Sequence, residues 1–258
     1  MKKKRITLAL IAAAFVAAAI DIATTAVGAV QEGTFRAESE FDGVTSATTR
    51  VAIVPSDFEE LAIPIARDQD PEYSQIEDML RKALELQGGL DWVISPGDMV
   101  MLKVNLVGGD SPSGQGENTD VRVVKALVKI IDEHTEGDVE IVIAEGTART
   151  NDEVGADNSV WDNSGYNDLL TDPYLDGINF SLFNLNQTYD DLIEVSLNNK
   201  ATAAPHSGQY RVHRKELEAD VYISVPVLKI HDTGLTNALK NQVGTAPGAY
   251  YGYNKMKG

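Results

Sequence analysis

Several stretches of the chain set amine, imidazole, amide and carboxylate groups beside apolar runs. Met99 to Leu106, MVMLKVNL, is apolar except for Lys103 and Asn105. Val139 to Ala144 reads as a buried strand and runs into Glu145-Gly146. Val221 to Val225, VYISV, is followed by Pro226 and then by Lys229, His231 and Asp232; Lys240 and Asn241 come next, in a short helix-like segment ended by Gly244 and Pro247. Lysines suit a negatively charged or carbonyl-bearing ligand, the amides would orient it, and His231 or Glu145 would move a proton. The catalytic candidates are therefore His231, Lys229 and Glu145. The ligand-binding candidates are Lys103, Asn105, Thr119, Lys240 and Asn241. A structural salt-bridge network is the competing reading of the same residues.

The elements that must position these groups follow from periodicity. Residues two apart on a strand share a face, so Lys103 and Asn105 point together near the end of one strand. Lys229 and His231 repeat that spacing at the end of the strand Val221 to Val225, which Pro226 closes. Val139 to Ala144 and Ile178 to Leu185 read as further strands, Leu192 to Leu197 as another, and Val51 to Val54 as a short buried one closed by Pro55. Tyr73 to Gln87 is an amphipathic helix, with Ile76, Met79, Leu80, Ala83 and Leu84 at spacings of three and four and Gly88-Gly89 as its stop. A second helix runs to about His134, with Thr119 as its N-cap and Val121, Val124, Leu127, Val128 and Ile131 on its core side. Thr147 to Asp176 is loop-rich and acidic, and Asn198 to Gln209 is polar loop. Strands alternating with helices imply a mainly parallel sheet flanked by helices, a single three-layer α/β domain. In such sheets ligands bind outside the carboxyl ends of the strands, where the candidates fall.

The Gly108 to Gly116 loop joins a strand to a helix N-terminus, the arrangement of an anion cradle; a plain flexible loop is the preferred reading, and an anion site on its backbone N–H groups the alternative. Gly109 and Gly114 have P-loop spacing, but Gln115 stands where that motif needs lysine, and Thr119 replaces the last glycine of a dinucleotide fingerprint. Neither nucleotide motif is met. Asp157, Asp162, Asp168, Asp172 and Asp176 fail calcium-loop spacing and read as an acidic surface. No metal ligands are assigned. His134 suits a helix C-terminus, and His206 and His213 have no assigned role.

Composition narrows the partners. The net charge is −17, which opposes nucleic acid and anionic membrane surfaces. The chain has no cysteine, so no thiolate nucleophile, disulfide or cysteine-ligated iron–sulfur cluster forms within it; the cofactor is otherwise unknown. Residues 1–29 read as a secretory signal: Lys2 to Arg5 are basic, Ile6 to Ile20 are uncharged and mostly apolar, and Val27-Gly28-Ala29 offers small residues for cleavage. The expected location is periplasmic or extracellular, and an uncleaved N-terminal anchor is the alternative. Residues 30–50 are a polar leader, and residues 51–258 form the domain.

Together these motifs resemble the DUF362 family. The matching pieces are Lys103-x-Asn105, Glu145-Gly146, the Pro226, Lys229 and His231 set, and Leu239-Lys240-Asn241 followed by Gly244. The resemblance covers about Val51 to Pro247. It implies no settled activity. Some members carry ferredoxin-like iron–sulfur modules, an association that does not carry over to a cysteine-free chain; a partner role in redox or iron–sulfur assembly is a third reading, which the resemblance alone implies. The family pattern suggests sequence beyond the Leu-Lys-Asn segment. Two functions stay open: an enzyme acting on a small anionic or carbonyl-containing molecule, and a non-catalytic small-anion binding protein.

Overall fold

A computed structural model describes residues 7–10, 35–37, 49–52, 54, 73–106, 113, 116–146, 159–186, 190–196, 209–231 and 234–251. Its strands are β1 (Thr7–Leu10), β2 (Phe35–Ala37), β3 (Thr49–Val51), β4 (Asp98–Val104), β5 (Val139–Glu145), β6 (Phe180–Asn184), β7 (Leu192–Ser196), β8 (Gln209–His213), β9 (Val221–Val225), β10 (Lys229–His231) and β11 (Gly234–Thr236). Its α-helices are α1 (Tyr73–Gln87), α2 (Val121–His134), α3 (Ser159–Asn163), α4 (Arg214–Glu218), α5 (Ala238–Asn241) and α6 (Gly248–Tyr251).

The apolar runs build a parallel sheet in the order β9-β4-β5-β6, and β1 adds a short parallel edge against β9. Of the stretch expected as a secretory signal, Thr7–Leu10 is thus described as a strand. One face of the sheet carries Val100, Leu102, Val104, Ile141, Ile143, Val221, Ile223 and Val225, packed with α1 and α2 in one continuous core. Ile76, Leu80 and Leu84 of α1 enter that core at intervals of four, as their spacing requires. Each such side chain stabilises the fold by roughly 1.5–3 kcal/mol when fully buried. Gly88 and Gly89 stop α1 with positive φ, and Gly89 N–H reaches back to Leu84 O at 2.9 Å. The 159–175 segment seals one side of the core with Trp161, Tyr166, Leu169 and Leu175.

The opposite face carries Met101, Val142, Ala144 and Leu185, with Phe183, Ala219 and Tyr222 against them. Lys103 and Ser224 belong to this face by alternation along β4 and β9. The α5 helix packs on β9 here. The domain is therefore three-layered α/β, as its alternating pattern implied.

Four local expectations are corrected. The strand read at Val51–Val54 ends at Val51 and pairs antiparallel with β2, outside the main sheet. Gln209, read as the end of a polar loop, instead opens β8, which pairs antiparallel with β7. Lys229 and His231, read as the polar end of the β9 strand, lie in a separate strand, β10, which hairpins with β11 so that Lys229 faces Thr236 and His231 faces Gly234. Pro226 supplies the reason, since it cannot continue a ladder. Finally, Asp120 rather than Thr119 caps α2, accepting from Arg122 N.

Candidate functional site

Lys103 lies near the end of β4, level with Ser224 of β9 and Ala144 of β5. Both neighbours are small, which leaves room for the long stem between them. The side chain is fully enclosed, at 0% exposure. A bare ammonium there would be prohibitive, so its partners decide whether the fold stands. Lys103 Nζ donates to Glu145 Oε1 at 2.9 Å, to Val104 O at 2.6 Å and to Asn241 Oδ1 at 3.3 Å. Three donors meet three acceptors, which satisfies the group.

Glu145 ends β5 and is also buried. Its Oε2 accepts from Leu106 N at 2.9 Å, tying the exit of β4 to the tip of β5. Asn241 closes the cluster from α5. Its Nδ2 donates to Lys103 O at 2.8 Å and to Ser224 Oγ at 3.0 Å. Side chains from β4, β5, β9 and α5 thus converge on a single point. Two glycines allow this density. A Cβ on Gly244 would overlap Glu145 Oε1 and Lys103 Nζ, and one on Gly146 would overlap the carbonyl of Gly244.

A second ring surrounds the base of the 106–118 loop. Asn105 N donates to Thr119 Oγ1 at 2.9 Å, and Thr119 N donates back to Asn105 O at 2.8 Å. The Thr119 hydroxyl then donates to Val225 O at 2.7 Å, stitching β4 to the tip of β9. Tyr166 OH donates to Thr119 O at 3.0 Å. Full burial, with the Asp120 and Glu145 charges adding to it, holds that phenol well above its ordinary pKa, so it acts as a neutral donor. Asn105 Nδ2 donates to Glu117 O at 2.7 Å, and Lys229 Nζ donates to the same carbonyl. The 103/105 and 229/231 segments therefore meet on one side of the molecule.

Lys229 is half-buried on the rim of this ring. Burial lowers its pKa, and the neighbouring Lys240 ammonium lowers it further, against the pull of the Glu117 and Glu145 carboxylates. Lys240 comes from α5 and is partly exposed. Its backbone neighbour Asn241 belongs to the buried cluster, and the Lys240 charge is near enough to be felt by Lys229.

The sequence candidates thus divide into two groups. Lys103, Glu145 and Asn241 are internal and bond one another, and Thr119 and Asn105 brace backbone. Lys229 and Lys240 stand at the rim. His231 has its backbone in β10; its side chain, and most of the Gly108–Gly116 loop, lie outside the described residues. Sequence reasoning passed over Ser224 and Tyr166, which complete the two rings. A hydroxyl inside the apolar run VYISV was the available signal for Ser224. Among the described residues no cluster of three His, Asp or Glu could hold a metal ion. Asp172, one of the metal-like acids, pairs instead with Lys125 at 2.5 Å.

Over 191 residues, 72% of its length, the chain is 29% identical to a thylakoid-associated protein of Synechocystis sp.. That span is 51% of the relative, so the chain spans about half the length of the curated relative it matches. No solved structure matches. A family model described as a domain of unknown function covers residues 100–258, which include every residue of both rings, and the chain belongs to that family, DUF362.

Proposed function

We propose that this chain binds a small anionic or carbonyl-containing molecule at the carboxyl ends of β4, β5 and β9, and acts on it as an enzyme. The observation that carries the reading is the meeting of Asn105 and Lys229 on the Glu117 carbonyl, which seats the half-buried Lys229 at the carboxyl ends of the strands in a chain of net charge −17. Burial and the Lys240 charge disfavour the Lys229 ammonium, and a bound anion would offset both. Lys103 is already matched by Glu145, so it serves as a support beneath the site. Lys229, partly desolvated, is the group to meet a carbonyl or anion, and His231 is the proposed acid or base. Non-catalytic binding in the same place is the alternative.

Native mass spectrometry of the purified protein tests the first step: a small molecule retained by the parent and lost from Lys229→Ala supports the site, and retention by both removes it. For a molecule so found, His231→Ala separates the two functions. Kept affinity with lost turnover marks an enzyme, whereas release of unchanged ligand by the parent marks a binding protein.

We also propose that the chain is exported. N-terminal sequencing of secreted material is expected to begin near Val30, and recovery of intact Met1 material in membranes would establish an anchor instead.

A further inference from the structure

Lys229 differs from the other cations that the fold encloses. Lys103 meets Glu145 at 2.9 Å, Lys125 meets Asp172 at 2.5 Å, Arg122 meets Asp120 at 2.6 Å and Lys215 meets Glu140 at 2.8 Å. Each of those buried or half-buried charges is answered by a carboxylate. Lys229 is half-buried as well, yet among the described residues no carboxylate lies within ion-pair distance of its Nζ. Its acceptor is the neutral carbonyl of Glu117.

That carbonyl is itself fixed. Asn105 Nδ2 donates to it at 2.7 Å from the exit of β4. The hydrogen bond thus draws the Lys229 nitrogen from β10 to the carboxyl end of β4. A carbonyl acceptor is satisfied by an uncharged amine, which still carries N–H groups. With one N–H on Glu117 O, an uncharged nitrogen turns its lone pair away from that oxygen. Burial, and then the Lys240 charge, favours the uncharged form, with the Glu117 and Glu145 carboxylates opposing. Lysines in such surroundings are nucleophiles toward carbonyl carbon.

We infer that Lys229 is an imine-forming nucleophile and that the ligand of the site is a 2-oxo acid, whose ketone carbon meets Lys229 Nζ and whose carboxylate answers the charge of Lys240. This names the ligand of the anion site proposed above and rests on that reading. In the step, the Nζ lone pair forms a C–N bond to the ketone carbon, and the carbonyl π pair moves to oxygen. A proton passes from nitrogen to that oxygen. The C–O bond then breaks, water leaves with the oxygen, and the nitrogen lone pair completes the C=N bond. Amine and ketone give imine and water, and nothing is oxidised or reduced. Phosphate or a plain carboxylate would occupy the site without this step.

Reductive trapping tests it. The full chain is incubated with pyruvate and sodium cyanoborohydride, which converts an imine to a stable secondary amine, and the adduct is located by peptide mass spectrometry. The Lys229 peptide of the parent is expected to gain one reduced pyruvate about tenfold or more faster than the peptide of Lys82, an exposed lysine of α1. Lys229→Arg, which keeps a cation but forms no imine, is expected to lose that fast adduct. No adduct, one spread evenly over surface lysines, or a fast adduct that persists in Lys229→Arg overturns the inference. Should Lys229→Arg not fold, the map of the parent decides alone. Calorimetric titration of the parent with propionate, which has the carboxylate and no ketone, separates the two claims: trapping that fails while propionate binds at a single site removes the imine and leaves the anion site, and failure of both removes both.

Discussion

Lys103 and Glu145 show how far a residue's role depends on what stands across from it. The Lys103-x-Asn105 spacing marks a polar pair at a strand end, and that much is legible in MLKVNL. That the lysine turns inward is not. It follows from small partners on both neighbouring strands and from a carboxylate 42 positions away. Removing one member leaves the other charged and enclosed. Glu145→Gln is expected to cost about 3–5 kcal/mol in urea unfolding, and Lys103→Met combined with Glu145→Leu to recover most of it. A double variant as unstable as the sum of its singles would show that the two do not act as a pair. Gly244→Ala tests the crowding at the same point. An added methyl overlaps both charged groups, with an expected loss of about 1–3 kcal/mol in the same assay.

The elements differ in how clearly the sequence announces them. α1 and α2 carry apolar residues at three and four over 15 and 14 residues, and β5 and β9 are rich in β-branched apolar residues; such signals are the clearest a sequence offers. β8 was silent because QYRVH pairs only with β7, outside the main sheet, and mixes charge with apolar residues. The β10–β11 hairpin was hidden by its closeness to β9, although Pro226 marked the break. Thr119 misled as a cap because a better one, Asp120, follows it and frees the threonine to join β4 to β9.

His213 makes a comparable contribution to α4. Its Nδ1 accepts from Lys215 N at 3.1 Å, and its ring packs edge-on against Phe183 at 4.9 Å. Burial lowers its pKa, so the neutral ring that can accept is the native form. Stability from this group is present above its ordinary pKa of about 6.5 and is lost as pH falls through the lowered folded value. His213→Asn, which keeps a capping oxygen, is expected to lose less stability than the parent as the solution is acidified, and His213→Ala to cost about 1 kcal/mol at neutral pH. Parallel acid profiles for parent and Asn variant would deny the cap its role.

At the scale of the molecule, an acidic chain builds a parallel sheet whose carboxyl edge collects lysines. Helices α1 and α2 fill one face with hydrocarbon, and the other face ends in polar groups that lock strand tips together. The sheet could be read from the order of apolar runs. The division of the candidate residues into a buried support and an exposed rim needed the fold. The most direct test of that division is calorimetric titration of the parent, Lys229→Ala and a surface control, Lys82→Ala, with inorganic phosphate and small carboxylates at low salt. The expected result is a single saturable site in the parent and the control, weakened about tenfold or more, some 1.4 kcal/mol, in Lys229→Ala at an unchanged unfolding midpoint. No saturable binding of any of these anions, or equal affinity in all three proteins, would contradict it.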